Sequence, residues 1–277
     1  MHRRALLSRA GGFLGACGVG VVAGCVDDTG DDASVSVREF PSRPSSSDPA
    51  AVVSYVAAYE EVYAHNVHAE NDAVSVSVDA VATFDHTVDG TAYATAQHAG
   101  TVSYRDSDRN RSVGEVYSDR IPYALTTDRT KRMDVTREPV TQPLPGVTDT
   151  DESTEDSTDP PLGIRLLNVM ETSADAELTI THQRDVSSSN DDRNRNEEAT
   201  RSIDQAVSID AESALVLGEI AAIPDSYRIV VRTDENGVTS EGRIAVDLSS
   251  ADRNPTVDAV IAADGIATRH LPTFEPI

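Results

Sequence analysis

Asp48-Pro49-Ala50-Ala51-Val52-Val53-Ser54-Tyr55-Val56, continuing through Tyr59, Tyr63 and Val67, gives way within a few residues to Val74-Ser75-Val76-Ser77-Val78-Asp79. The change of period from about 3.6 to 2 decides the fold class. Asp48 can cap a helix, and Pro49 suits its first position, where the missing N–H costs nothing. Val52, Val56, Tyr59, Tyr63 and Val67 then fall on one helical face, with Glu60, Glu61 and Glu70 off that stripe. The alternating valines that follow read as a half-buried strand, and Asp89-Gly90 as a tight turn into a returning run, Thr91 to Tyr104. A polar turn from Arg105 to Ser112 leads to further short runs at Val113 to Tyr117, Ile121 to Leu125 and Met133 to Val135. One long helix on an antiparallel β-meander is therefore expected over residues 48–138.

Toward the C-terminus the apolar pattern stays strand-like. Ile164 to Met170, Ala176 to Thr181, Ile203 to Ile209, Leu215 with Leu217, Tyr227 to Thr233 and Val238 to Asp247 recur at roughly ten-residue intervals. Asn236-Gly237 is the strongest hairpin signal, and Asp264-Gly265 suggests a last one. Residues 164–277 are expected to form a β-sandwich of immunoglobulin-like type. In outline, Ser208 to Val231 resembles the closing strands of small immunoglobulin-like modules of extracellular archaeal proteins. Between the two modules, residues 139–163 carry five prolines and an acidic, hydroxyl-rich run from Thr148 to Asp159, the composition of an extended linker. A calcium loop would need an ordered ligand set around a central glycine, which is missing. Ser187 to Glu198 has no apolar residue and reads as a mobile tip or a contact loop.

Upstream of the helix the reading changes from fold to address. Arg3 and Arg4 form a twin-arginine pair, Arg9 adds charge, and a small apolar run follows to Val22-Ala23-Gly24-Cys25. That stretch is too short and glycine-rich for a spanning helix but right for a signal peptide on the twin-arginine route. Residues 1–25 are thus expected to be a signal peptide with a lipobox. Cys25 would become the first mature residue and carry lipid on its thiol. Residues 26–47, rich in Asp and Ser, read as a disordered tether.

Formal charge is −24, with 23 basic against 47 acidic residues, and Lys131 stands alone against twenty-two arginines. Nucleic acid is a poor partner for such a surface. Molar salt removes the self-repulsion of so many carboxylates, so the composition suits a protein living in brine. The leader with its lipobox, the acidic tether, Tyr55-Val56-Ala57-Ala58-Tyr59-Glu60-Glu61-Val62-Tyr63 and Pro122-Tyr123 near the end of the strands together resemble a group of uncharacterised lipoproteins of halophilic archaea. What the resemblance implies is location on the outer face of the cell membrane and architecture, without an activity.

Chemistry leaves few marks. Cys17 belongs to the leader and Cys25 to the anchor, so the mature chain has no thiol for a disulfide, a thiolate nucleophile or a blue-copper site. No Gly-x-Ser-x-Gly elbow and no phosphate-cradling glycine loop is present. His65 and His68, with Glu61 one turn earlier, have a spacing that can hold a metal, but no further ligands accompany them, and a solvated helix-terminal pair is the simpler reading. His86, His98, His182 and His270 stand singly on strands or in the tail. Asn110-Arg111-Ser112 is a glycosylation acceptor triplet in a polar turn. With no catalytic constellation and no cofactor motif, the expectation is a non-enzymatic surface module that binds or positions an extracellular protein or ligand. An extracellular hydrolase with a dispersed site is the alternative.

Overall fold

The computed structural model describes residues 34–105, 110–140, 162–183, 202–218, 220, 226–235, 237–247 and 256–271. Arg3, Arg4 and Cys25, the run from Thr148 to Asp159, Asn236 and the excursion from Ser187 to Glu198 lie outside the described residues. Residues 34–277 cluster as one compact unit. Among the described residues the protein is mainly β, with one helix and largely antiparallel sheets.

The helix, α1, spans Pro49–Ala69, and Asp48 caps it by accepting from the backbone N–H groups of Ala50 and Ala51. Such a cap contributes about 1 kcal/mol. Its buried face differs from the expected stripe: Val52, Val56, Glu60 and Ala64 line it at intervals of four, while Val67 is exposed. Glu60, expected off the stripe, is completely buried. The reason lies in the sheet beneath, which offers this carboxylate a set of donors.

That first sheet comprises β1 (Ser75–Val88), β2 (Thr91–Arg105), β3 (Arg111–Tyr117), β4 (Ile121–Leu125) and β5 (Thr130–Arg132). All its pairs are antiparallel. Asp89 and Gly90, both at positive φ, make the tight turn between the two long strands. The sheet is not a simple meander. β3 and β4 lie end to end along the same side of β2, because the chain leaves β3 at Ser118 and returns to the turn-proximal half of β2. Ser118 fixes that departure: its N–H donates to the His98 carbonyl at 2.9 Å, and its Oγ accepts from the His98 N–H at 2.9 Å.

Two further sheets follow. The central one has the order β14 (Gly265–His270), β13 (Thr256–Ala262), β7 (Gly163–Asn168), β10 (Ser213–Gly218), β6 (Asp134–Pro139). The outer one has the order β12 (Val238–Asp247), β11 (Ser226–Glu235), β8 (Ala174–Gln183), β9 (Ser202–Ile209). Their facing residues share one core that includes Leu166, Leu178, Ile180, Leu215, Tyr227 and Ile229. Alternation decides which side chains enter it. Ile164 and Leu166 of β7 face the outer sheet, whereas Leu167 joins Tyr93, Ala124 and Val88 of the first sheet in a separate cluster. The inner strands β13, β7 and β10 are therefore buried on both faces, which explains their nearly unbroken apolar runs and suits the parallel pairing of β13 with β7, whereas the edge strand β6, which pairs parallel with β10, is largely exposed.

The strand order departs from the immunoglobulin-like one expected. In that arrangement the first, second, fifth and fourth strands share a sheet. Here the first and fourth strands of this part, β7 and β10, pair with each other, while the second and fifth, β8 and β11, pair in the other sheet. Asp134–Pro139, from the end of the expected first module, pairs with β10, so the central sheet draws on both halves of the chain. Lys131 adds a tie between them by donating to the Val169 carbonyl at 2.8 Å. Among the described residues no helix is long and apolar enough to cross a membrane.

Candidate functional site

One irregularity builds the most unusual feature of the interior. β1 and β2 keep strict register from Ser75 opposite Ser103 to Phe84 opposite Ala94, and then His86 lies opposite Tyr93, leaving Asp85 as a bulged residue. A one-residue slip turns every later side chain to the other face. Without it, Asp85 would point at the central sheet and His86 at the helix. With it, both reach the central sheet's side of the first sheet.

There they meet Arg165 and Asp258. These two are register neighbours on the parallel strands β7 and β13, and each interrupts an apolar run. Arg165 Nε donates to Asp258 Oδ1 and Nη2 to Asp258 Oδ2, both at 2.6 Å, in a bidentate fork. Nη2 also donates to Asp85 Oδ2 at 2.6 Å, and Nη1 to Thr95 Oγ1 at 2.6 Å. The Thr95 hydroxyl in turn donates a hydrogen bond to Asp85 Oδ2 at 2.7 Å, and His86 Nε2 lies 2.8 Å from Asp258 Oδ2. Asp258 is fully buried and Arg165 is 4% exposed.

Burial pushes the Asp258 carboxyl up, but Arg165 and the His86 hydrogen bond outweigh it and hold the group below the ordinary carboxylate range. For Asp85 the balance reverses: burial, joined by repulsion from Asp258, raises it despite Arg165. Because ionised Asp258 can only accept, His86 Nε2 carries the proton of that bond. His86 Nδ1 is buried without a hydrogen-bond partner, and the ring lies 4.9 Å from that of Tyr93. Burial, with repulsion from Asp258, Asp89 and Asp264, pushes the Tyr93 phenol up to about 12.

A second buried network joins α1 to the other face of the first sheet. Glu60 Oε1 accepts from His98 Nδ1 at 2.6 Å, and Glu60 Oε2 accepts from the Tyr123 hydroxyl and from Arg132 Nε at 2.9 Å. Burial pushes the Glu60 carboxyl up, but these donors together bring it below its ordinary value. Burial and the adjacent Glu60 carboxylate raise the Tyr123 phenol. Arg132 also lies over the Tyr63 ring, 4.0 Å from its centroid.

The histidines singled out in the sequence are placed differently from each other. His65 is buried, with Nε2 3.1 Å from the Ser36 carbonyl, and His68 Nδ1 shares a 2.6 Å hydrogen bond with the Tyr104 hydroxyl. They are therefore not a solvated pair, and they do not converge. Burial, helped by repulsion from His98 and His65, lowers the His68 value. Among the described residues no group of three or more His, Cys, Asp or Glu side chains could hold a metal. Asn110 is exposed in the turn before β3.

Chemically, His86 with Asp258 has the form of a base and its orienting carboxylate. A hydrolase would need a hydroxyl or thiol on the free ring nitrogen, and none lies within hydrogen-bond distance among the described residues. A cavity of about 340 Å³ lies nearby, lined in part by Asp89, Tyr93, Val260 and Asp264, but His86, Asp258 and Arg165 do not line it. A larger one of about 640 Å³ lies among β8, β9, β11 and β12, away from both networks. No family model, no curated protein and no solved structure matches the chain.

Proposed function

We propose that this chain is an exported, lipid-anchored protein of the outer face of a cell living in high salt, and that its folded part is a non-enzymatic module that binds or positions a partner outside the membrane. The reading places the chain with the lipoproteins of halophilic archaea that its leader and helix resemble. It draws its location from Arg3, Arg4 and Cys25, and its environment from an acidic, lysine-poor surface.

The observation that carries the non-enzymatic part is how the acid–base groups are arranged. Among the described residues, carboxylate, guanidinium and imidazole groups are concentrated at two places, where they are buried against one another; of their neighbours only the Tyr93 phenol lines one of the two cavities, while His86, Asp258, Arg165 and Glu60 line neither. Such groups hold layers together. A catalytic set would instead open onto space for a substrate.

Fractionation tests the anchor directly. A Cys25→Ser variant expressed at molar salt is expected in the medium and the wild type in the membrane fraction; a variant that stays with the membrane would falsify the anchor. Affinity capture on the mature chain at molar salt, where non-specific electrostatics are screened, is expected to retain a discrete extracellular partner. Turnover of ester, peptide or glycoside substrates that vanished in His86→Ala would favour a hydrolase instead.

A further inference from the structure

Residues 34–47 were expected to belong to a tether, yet the start of this stretch is built into the fold. The Val35 N–H donates to the Ala73 carbonyl at 2.8 Å, just beyond the end of α1. His65 Nε2 lies 3.1 Å from the Ser36 carbonyl. Asn66 grips the backbone of Arg38 from both sides, its Oδ1 accepting from the N–H at 2.7 Å and its Nδ2 donating to the carbonyl at 2.9 Å. The Arg38 guanidinium pairs with Glu61 at 3.1 Å, and the Phe40 ring stacks on Tyr59 with centroids 4.5 Å apart. The strap thus runs antiparallel to the helix and enters at the helix's C-terminal end.

Only residues 26–34 then separate Cys25 from the first fixed point. Fully extended, ten peptide steps reach about 35 Å, and a relaxed coil of that length spans about 17 Å. β1 starts beside this entry point, and its fourteen residues extend about 45 Å to the Asp89-Gly90 turn. That turn and Asp264 line one cavity, which puts Asp264 at the remote end of the first sheet.

We infer that the strap makes one end of the protein membrane-facing: the end formed by the α1 C-terminus, the start of β1 and the start of β3 is held against the lipid surface, and the β1–β2 turn is held tens of Å away. The inference rests on the lipid anchor proposed above. Of the six exposed large hydrophobic side chains among the described residues, three lie at that end, while Phe40, Tyr117 and Val238 lie on other parts of the fold. Val37 on the strap, Val67 in the last turn of α1 and Val113 at the start of β3 are 58%, 38% and 67% exposed, and all lie toward the entry point. Val113 pairs with Ser103, which pairs in turn with Ser75. Apolar side chains at an interface with lipid headgroups gain from partial burial there.

Single dyes on Glu70→Cys and Asp264→Cys, each in the full lipidated chain on vesicles at molar salt, can be compared using a quencher attached to the lipid headgroups. Quenching at position 70 is expected to exceed that at 264 several-fold. Inserting a long Gly/Ser segment after Gly30, which leaves the folded part untouched, should shrink the difference. Equal quenching at the two positions, or stronger quenching at 264, on a protein that stays on the vesicles overturns the inference and leaves the anchor standing. A wild-type chain that fails to stay on the vesicles overturns both.

Discussion

The two buried networks solve the same problem on opposite faces of the first sheet, and they differ in where the positive charge sits. Around Glu60 the anion is wholly buried, but its cationic partner, Arg132, has a side chain 18% exposed and reaches solvent. Around Asp258 the cation is inside as well: the Arg165 side chain is 5% exposed and serves two carboxylates and a hydroxyl. An ion pair is costly when a partner is removed and the remaining charge has no route to solvent. The second network should therefore be the more fragile, although it has the better geometry.

The largest expected effect follows from that contrast. Arg165→Met leaves Asp258 and Asp85 facing each other in an apolar layer, and denaturant unfolding should show a loss of about 4 kcal/mol. Glu60→Gln keeps the shape and lets Arg132 turn outward, so a loss of about 2 kcal/mol is expected. Hydrogen exchange should localise it to α1 and the strap. A Glu60 variant that cost more than the Arg165 variant would break the comparison, because exposure of the partner would then not be what sets the cost.

Salt sharpens the same contrast from another side. Exposed pairs such as Arg232 with Glu241 are screened in molar salt, whereas pairs shielded from solvent are screened far less. Lowering the salt should destabilise the wild type through repulsion among its surface carboxylates. The difference between wild type and Arg165→Met should stay nearly constant from molar to tens of millimolar salt, and Arg232→Ala should cost less than about 0.5 kcal/mol at either. Thermal melts across a salt series check both statements.

Much of the fold was legible in the sequence, and the networks were not, for a definite reason. The cap at Asp48, the turn at Asp89-Gly90 and the strand alternation are local patterns, and each appears where it was read. The ladder order is a long-range property, so neither the break in the meander at Ser118 nor the pairing of β7 with β10 could be read from spacing. The networks join residues as far apart as His86 and Asp258, and in a chain this acidic one more aspartate attracts no notice. A signal did exist. Arg165 follows Ile164 and precedes Leu166-Leu167, Asp258 stands between Val257 and Ala259-Val260-Ile261, and His98 continues the face of Ala92, Ala94 and Ala96. A charged or polar side chain on an otherwise apolar strand face must find a partner. The bulge at Asp85 left no such mark, and it alone decides that His86 faces the central sheet.

A finer effect separates the two carboxylates that share Arg165. Asp258 holds both arms of the fork and is depressed, while Asp85 is raised by burial and by its neighbour. A raised carboxyl contributes stability that is fully present below its unfolded value, about 3.9, and is lost as pH rises through its folded value. A depressed one, as at Asp258 and Glu60, contributes stability present above its unfolded value and lost as pH falls through the folded one. Asp85→Asn keeps an acceptor for Thr95 and Arg165 and removes a charge that the site disfavours, so at pH 7 it should cost about 1 kcal/mol or less. On acidification the wild type gains as Asp85 takes up its proton, and the variant has no such gain. The cost of Asp85→Asn, measured by denaturant unfolding between pH 7 and pH 4.5, should therefore grow as the pH falls. A cost that shrank over this range would mean that Asp85 is the carboxylate Arg165 holds ionised, and that the asymmetry between the two aspartates runs the other way.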